Sequence, residues 1–263
     1  MPPASAPRPS PLVFGRRPRN PAAAVRLVCL PFAGGSATAY AGIEAALADV
    51  AEVRTAELPG RGMRFGEAFA TDLTVLAAQI AAAVLAMPDP GKPLVLFGHS
   101  MGALLAHEIA RALARQENPP RHLVLSGAPA PQRRSAAARR ALAEETRTDA
   151  GLVARMRRLG GTPPEIFAQP DLLALVLPVL RADYALVAGY APPALPPLAV
   201  PATLLGGTED AETPPADLVA WADGLAGSVA VEFWPGGHFF IRPNEARLAA
   251  LLRAAIRTAA GGP

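Results

Sequence analysis

The chain has 263 residues, of which 51% are hydrophobic and 18% are charged. This is enough for one buried core and short for two domains of ordinary size. Proline and glycine together make up about one fifth of the chain, below the share at which composition alone indicates disorder. We therefore expect one folded domain over residues 21–263, preceded by a proline-rich, flexible tail over residues 1–20.

Cysteine and histidine are too scarce to support covalent or metal cross-links. The single cysteine, Cys29, excludes an intramolecular disulfide, and the four histidines lack the spacing of a zinc site. We expect no metal and no cofactor. The N-terminus has no hydrophobic run of the signal-peptide type, and prolines break the longest uncharged stretch, 184–208. We therefore expect a cytoplasmic protein without a membrane span.

The formal net charge of +3 rests almost wholly on arginine, because Lys92 is the only lysine. The arginines concentrate at 8–19 and at 133–158, and such clusters suit an acidic partner. Nucleic acid is not the expected partner, since the chain has no zinc-finger spacing and no RNA-binding signature.

Short apolar runs alternate with longer, alanine-rich segments from residue 25 onward. The apolar runs predict six β-strands, at 25–32, 53–58, 93–97, 122–126, 202–205 and 229–234. The longer segments predict helices at 72–87, 101–116, 215–223 and 244–259. Since the strands are almost continuously apolar, we expect both of their faces to be buried. The pattern thus predicts an α/β fold with a mostly parallel sheet and helices on both faces.

One segment interrupts this alternation. Between the fourth and fifth predicted strands lie about 75 residues, far more than a strand–helix connection needs. The segment contains arginine-rich helical stretches at 136–147 and 152–159 and an apolar stretch at 172–186, which we expect Pro178 to interrupt. We expect residues 130–190 to form a helical lid at the carboxyl edge of the sheet.

The most informative motif is Gly98-His99-Ser100-Met101-Gly102, which follows a predicted strand and opens a predicted helix. Small residues on both sides of a serine allow the strained turn that projects a nucleophilic hydroxyl, so the motif predicts Ser100 as nucleophile. An ordinary helix-capping serine is the alternative.

A serine hydroxyl needs a base, and the base needs a carboxylate partner. His238 is the best-placed base, because it lies in a glycine-bounded loop directly after the last predicted strand. The other histidines, His99, His107 and His122, fit packing or surface positions better. For the acid we favour Asp210, in the loop after the fifth strand, and keep Glu209 as the second choice.

The oxyanion of such a reaction needs two backbone N–H donors. Met101, directly after the nucleophile, supplies one. The other is expected at Ala33, in the Pro-Phe-Ala-Gly-Gly loop that follows the first predicted strand.

Several sequence blocks together resemble the type II thioesterases of polyketide and non-ribosomal peptide synthesis, which serve antibiotic and siderophore pathways. The blocks, in chain order, are LVCLPFAGGSATAY (27–40), LPGRGMRFGE (58–67), LVLFGHSMGALLAHEIA (94–110), LGGTPPEIFAQPDLLALVLPVLRADYALVAGY (159–190), LLGGTED (204–210) and FWPGGHFFI (233–241). The resemblance implies an α/β-hydrolase fold with a helical lid. It also implies Ser100, Asp210 and His238 as the catalytic triad and Ala33 and Met101 as oxyanion donors.

The resemblance implies a stand-alone editing enzyme that removes acyl or aminoacyl groups from the phosphopantetheine arms of carrier proteins. Acyl or peptidyl carrier domains would then be the partners, with Arg133, Arg134, Arg139 and Arg140 helping them to dock, and we expect the enzyme to be a monomer. The alternatives are a general esterase or lipase, a non-catalytic module that binds carrier domains, and a product-releasing thioesterase. The sequence does not indicate what the Gly62-Met63-Arg64 turn contacts.

Overall fold

The computed structural model describes residues 10–16, 18–192 and 195–261. Six strands form one sheet: β1 (Arg26–Leu30), β2 (Glu52–Thr55), β3 (Leu94–His99), β4 (His122–Ser126), β5 (Ala202–Gly207) and β6 (Val229–Trp234). Their order across the sheet is β2-β1-β3-β4-β5-β6, and each neighbouring pair is parallel. The predicted α/β fold with a mostly parallel sheet is therefore confirmed. Strand β2 ends earlier than its predicted run, at Thr55.

Helices cover both faces of the sheet. They are α1 (Ala41–Leu47), α2 (Leu73–Leu85), α3 (Met101–Leu113), α4 (Ala136–Glu145), α5 (Asp149–Leu159), α6 (Pro164–Phe167), α7 (Pro170–Gly189), α8 (Pro215–Val219) and α9 (Glu245–Ala259). One face carries α2 and α3, and the other carries α1 and α9. The sequence did not predict α1, whose seven residues are too few for a clear helical period.

Strand β1 shows why the strand runs are continuously apolar. Successive side chains point to opposite faces, so Val28 and Leu30 pack with the α2–α3 layer while Leu27 and Cys29 pack with the α1–α9 layer. All four are fully buried. Burying each large aliphatic side chain contributes about 1.5–3 kcal/mol. Both layers therefore hold the sheet in place, and with it the loops at its carboxyl edge.

The segment between β4 and β5 forms a helical insertion, residues 136–189, made of α4, α5, α6 and α7. It has a small core of its own, formed by Leu152, Met156, Leu177, Leu180 and Tyr184. The prediction that Pro178 interrupts the apolar stretch is wrong, because α7 continues through it. Proline removes one helical hydrogen bond, but Leu177 and Leu180 on either side are buried in the insertion core and hold the flanking turns.

Helix α7 is also the one helix within the described ranges that is long and apolar enough, by length and composition alone, to cross a membrane. In this fold it packs against α4, α5 and α6, and its Asp183 forms a buried ion pair with Arg61. A packed helix of a folded domain meets the same length and composition test, so the test by itself carries little weight.

The predicted N-terminal tail needs a correction. Residues 1–9 lie outside the described residues, but residues 10–16 pack onto the domain, with Val13 and Phe14 buried. The Val13 carbonyl accepts a hydrogen bond from the Glu57 N–H at 2.8 Å, and the Phe14 carbonyl accepts one from Arg54 Nη2 at 2.6 Å. The tail boundary at residue 20 is therefore wrong, because three apolar residues among prolines are too few to show a hydrophobic period.

Candidate active site

Ser100 occupies a strained turn between β3 and α3. Its φ of 56° and ψ of −119° lie outside the regions that non-glycine residues ordinarily adopt, at a cost of about 1–3 kcal/mol. The flanking glycines make the turn possible. A Cβ on Gly98 would lie 2.0 Å from the Gly102 carbonyl oxygen, and one on Gly102 would lie 2.1 Å from the Leu30 carbonyl oxygen. Close backbone packing thus requires glycine at both positions of the motif.

The Ser100 hydroxyl points to His238 rather than to the backbone N–H groups of α3. Its Oγ lies 3.0 Å from His238 Nε2, and His238 Nδ1 lies 3.0 Å from Asp210 Oδ2. The other carboxylate oxygen, Asp210 Oδ1, accepts a hydrogen bond from the Glu212 N–H at 2.9 Å. Three side chains from separate loops are thus joined in one hydrogen-bonded series.

The sheet explains how residues so far apart in sequence meet. Ser100 follows β3, Asp210 follows β5 and His238 follows β6, so all three lie beyond the carboxyl ends of parallel strands at one edge. Glu209, the second choice for the acid, is exposed, whereas Asp210 is 5% exposed and His238 is 8% exposed. The structure therefore places Asp210, and not Glu209, on the imidazole.

The donor pattern of this series suits nucleophilic catalysis. Because a carboxylate only accepts hydrogen bonds, Asp210 fixes the proton of neutral His238 on Nδ1. The Nε2 lone pair is then free to accept the Ser100 proton.

His99 lies directly behind His238, with ring centroids 5.1 Å apart. Its Nδ1 is 2.9 Å from Ser126 Oγ on the neighbouring strand β4. Burial lowers the pKa of His99 well below its usual value of 6.5, and the neighbouring His238 and Arg242 add to the decrease. His99 is therefore neutral at neutral pH and places no positive charge beside the base.

The remaining two histidines take the packing positions expected of them. His107 is buried on α3, with Nδ1 3.3 Å from Glu108 Oε1, and His122 Nε2 lies 2.9 Å from Thr203 Oγ1. Burial lowers the pKa of both imidazoles.

The two residues predicted to supply oxyanion donors lie beside Ser100. Ala33 follows β1, and Met101 is the first residue of α3, where a helix leaves its N–H without an intrahelical acceptor. Within residues 10–16, 18–192 and 195–261, neither N–H donates a hydrogen bond. Both residues line a cavity of about 410 Å³ together with Ser100 and His238.

A buried ion pair holds the loop that carries Ala33. Asp183 of α7 receives two hydrogen bonds from Arg61, both at 2.6 Å, and its Oδ2 also accepts one from the Gly34 N–H at 2.7 Å. Arg61 Nη1 in turn donates to the Gly35 carbonyl at 3.2 Å. The loop beside Ser100 is thereby fastened to the helical insertion.

Sequence reasoning missed both members of this pair. Arg61 lies in the LPGR block, which received no role, and Asp183 lies between Ala182 and Tyr184 on a mostly apolar helix that also carries Asp171 and Arg181. An acid in the apolar half of such a helix is a usable signal, because a buried carboxylate requires a partner.

The turn whose contacts the sequence left open lies next to this pair. Glu57 accepts hydrogen bonds from the Ala37 N–H at 3.0 Å and from the Met63 N–H at 3.4 Å. Arg64 donates to the Glu57 carbonyl at 2.9 Å and pairs with Glu67. The Gly62-Met63-Arg64 turn therefore braces the far end of the loop that carries Ala33.

Arginines from the insertion and its approach line the opposite wall of the cavity. They are Arg133, Arg134, Arg139, Arg155 and Arg158. Arg140, which the sequence grouped with them, is exposed and lies outside the cavity lining. In the described part of the chain, no group of three or more histidine, cysteine, aspartate or glutamate side chains is arranged to hold a metal ion.

Comparison with known proteins agrees with this geometry. The sequence model of the thioesterase domain family matches residues 25–257. A protein of Streptomyces griseus named "Probable cadicidin biosynthesis thioesterase" is 40% identical over 218 residues, which are 83% of this chain and 58% of that protein. The chain thus spans less than two thirds of that relative's length.

Two solved structures are similar over most of the chain. The type II thioesterase BorB from the borrelidin biosynthetic cluster superposes with a TM-score of 0.81 at 33% identity, covering 92% of this chain and 97% of BorB. The RedJ thioesterase of the prodiginine pathway in Streptomyces coelicolor gives a TM-score of 0.80 at 35% identity, covering 96% of this chain and 94% of RedJ.

Proposed function

Because the chain belongs to the thioesterase domain family, we propose that it hydrolyses acyl or aminoacyl thioesters on the phosphopantetheine arms of carrier proteins. In this role it is a stand-alone editing enzyme of polyketide or non-ribosomal peptide synthesis. The observation that carries the proposal is the Asp210–His238–Ser100 series, which opens into a cavity of about 410 Å³. The names of the similar proteins support the assignment to this kind of pathway.

The reaction proceeds in two halves that use the same base. His238 Nε2 takes the Ser100 proton as Oγ bonds to the thioester carbonyl carbon, and the carbon–sulfur bond then breaks. The sulfur leaves as a thiolate, which needs less help from an acid than an amine does, and His238 returns the proton to it. In the second half, His238 takes a proton from water as the water oxygen attacks the acyl carbon. His238 then gives this proton to Ser100 Oγ as the bond between Oγ and the acyl carbon breaks, which releases the acid and restores the serine.

Asp210 serves both halves by holding the imidazole. Its carboxylate keeps the proton of neutral His238 on Nδ1 and stabilises the imidazolium that forms in each half. The N–H groups of Ala33 and Met101 supply hydrogen bonds to the oxyanion of the tetrahedral intermediates, a type of contact whose removal costs about 10²–10³-fold in kcat. The mechanism requires neither a metal nor a cofactor, in keeping with a cytoplasmic enzyme whose substrate is tethered to a partner protein.

The helical insertion acts as a lid over this site. It supplies apolar wall residues such as Leu142 and Val187, and Leu104 of α3 completes that wall. A thin pantetheine arm therefore reaches Ser100 between the sheet edge and the insertion while the carrier protein remains outside.

The carrier protein docks on exposed arginines on α4 and on the segment just before it, next to the cavity. Arg140 is exposed on α4, and the Arg133 side chain, which reaches the cavity rim, is 52% exposed. We expect Arg133→Glu/Arg140→Glu to raise KM for an acyl-carrier protein without raising KM for a small acyl thioester. A charge-matched pair far from the cavity, Arg115→Glu/Arg121→Glu, is the control. Equal effects on both substrates would refute this docking site.

The function is tested by incubation with a panel of acyl- and aminoacyl-carrier proteins, followed by mass measurement of the arm. The wild-type protein is expected to remove the acyl group, and Ser100→Ala is expected to leave it in place. Faster turnover of free esters than of any carrier-bound thioester would favour a general esterase. Carrier binding without any hydrolysis would favour a non-catalytic module.

A further inference from the structure

The arginines of the cavity wall fall into two groups. Arg155 pairs with Glu145 at 2.8 Å and also with Glu212, and Arg158 pairs with the same two carboxylates at 2.7 and 3.3 Å. These four side chains form a charge-balanced cluster. They leave little positive charge for a ligand.

Arg134 and Arg139 are different. Arg134 Nη2 donates to the Val187 carbonyl at 2.7 Å, but in the described ranges no carboxylate lies within salt-bridge distance of either guanidinium. The Nε atoms of both side chains are buried and lack an acceptor among those residues. The remaining residues of the chain contain no aspartate or glutamate side chain that could compensate them.

Burial makes this arrangement costly. Desolvation lowers the pKa of Arg134, and the neighbouring Arg139 and Arg155 add to the decrease, against the opposing effect of Tyr190. The guanidinium nevertheless stays charged at neutral pH, since its ordinary pKa is 12.5. An uncompensated cation with unsatisfied N–H donors is unfavourable in a partly buried site, unless a ligand brings the missing negative charge.

The position of Arg134 and Arg139 indicates which ligand would bring this negative charge. Arg134 and Arg139 line the same cavity as Ser100 and His238, so a molecule that reaches them also reaches the nucleophile. An anion held there is therefore part of the substrate.

We propose that Arg134 and Arg139 bind an anionic oxygen group of the thioester substrate. This inference rests on the proposed function. Guanidinium groups suit phosphate and carboxylate equally, because both present paired oxygen acceptors. The two possible sources are the phosphate of the phosphopantetheine arm and a carboxylate on the acyl group itself.

Three small substrates separate these sources. Acetyl-pantetheine carries neither anion, acetyl-4′-phosphopantetheine carries only the phosphate, and malonyl-pantetheine carries only the carboxylate. The kcat/KM of each is measured for the wild type, for Arg134→Gln/Arg139→Gln and for the control Arg115→Gln/Arg121→Gln, whose side chains are exposed and distant from the cavity.

We expect Arg134→Gln/Arg139→Gln to lower the ratio of kcat/KM between one charged substrate and acetyl-pantetheine by about 10- to 100-fold. The control is expected to keep the wild-type ratio. A fall for the phosphate-bearing substrate identifies the arm as the anion, and a fall for malonyl-pantetheine identifies the acyl group. Arg134→Lys/Arg139→Lys, which keeps the charge, is expected to restore part of the lost ratio. Unchanged ratios for both charged substrates overturn the inference.

A binding measurement tests the anion site independently of the proposed hydrolysis. Calorimetry with Ser100→Ala compares 4′-phosphopantetheine with pantetheine, and malonyl-pantetheine with acetyl-pantetheine, without any turnover. Tighter binding of one anionic member, lost on adding Arg134→Gln/Arg139→Gln, supports the inference even if no thioester is hydrolysed. Equal affinities within both pairs overturn it even if hydrolysis is fast.

Discussion

The sheet edge and the helical insertion form opposite sides of one cavity, and they hold their functional groups in different ways. At the sheet edge, backbone geometry fixes the groups: glycines 98 and 102 allow the turn at Ser100, and parallel strands bring Asp210 and His238 to it. On the insertion, arginine and glutamate side chains lie among apolar residues of the cavity wall. The comparison teaches that the two sides divide the proposed tasks: the edge carries the groups for the chemistry, and the insertion carries the side chains proposed to bind the substrate.

The Arg61–Asp183 pair joins the two sides. It ties α7 of the insertion to the loop that carries Ala33, so the charges of the insertion also support the geometry of the edge. Substitutions at the edge, at this joint and elsewhere on the fold should therefore have distinguishable effects.

The largest effect is expected from the edge. Ser100→Ala should lower kcat by at least about 10³-fold on every thioester, because no other group can form the acyl-enzyme. Steady-state kinetics on a small thioester and on an acyl-carrier protein measures this, and the exposed Ser228→Ala serves as the control. A loss confined to one of the two substrates would break the comparison.

The next largest effect is expected at the Arg61–Asp183 pair, where a substitution should mainly lower the stability of the fold. Asp183→Asn leaves Arg61 buried without its charge partner, and we expect it to lower the free energy of unfolding by about 3–5 kcal/mol. Asp171→Asn, at an exposed position on the same helix, is the control and should cost less than about 1 kcal/mol. Urea unfolding measures both. Equal losses would mean that the pair does not hold the insertion.

A third substitution tests whether Asp210 is the acid that holds His238. Asp210→Asn should lower kcat by about 10²-fold or more, because the amide no longer fixes the proton of His238 on Nδ1. The adjacent, exposed Glu209→Gln is the matched control and should stay close to wild-type kcat. The reverse result would make Glu209 the acid.

The smallest expected effect is the pH dependence of the free energy of unfolding, which arises from histidines outside the triad. Burial lowers the folded-state pKa values of His99, His107 and His122 below 6.5, so the unfolded chain binds more protons than the folded one just below that pH. Stability should therefore fall as the pH decreases from about 6.5 to about 5, before most carboxylates titrate.

Urea unfolding at about pH 7 and about pH 5.5 measures this dependence. His122→Gln, which lies far along the chain from the triad and contacts Thr203, should reduce the difference in unfolding free energy between the two pH values. A wild-type stability that does not change across this range would contradict the prediction.

The sequence predicted those parts of the molecule whose local residue pattern directly reflects their position in the fold. The strand runs were visible because each strand is buried on both faces. Once the strands were predicted, the positions of the site residues followed, since Ser100, Asp210, His238 and Ala33 all lie in loops that come after a strand. Their catalytic roles remain predictions until the substitutions above are measured.

The remaining features depend on contacts that no local pattern encodes. Asp183 and Arg61 are 122 residues apart, and neither residue alone shows that they meet. Val13 and Phe14 are buried only because the core offers them a place, and Pro178 remains helical only because its neighbours pack. The four arginines of 133–140 formed one group in the sequence, but the turn before α4 and the helix itself turn Arg134 and Arg139 toward the cavity and Arg140 away from it.

Glu212 connects helix α5 to Asp210. Its backbone N–H steadies Asp210, while its carboxylate holds Arg155 and Arg158 of α5. The same residue therefore connects the arginines of the insertion to the carboxylate that holds the His238 imidazole. A substitution that frees α5 from Glu212 would also reach the base of the proposed reaction.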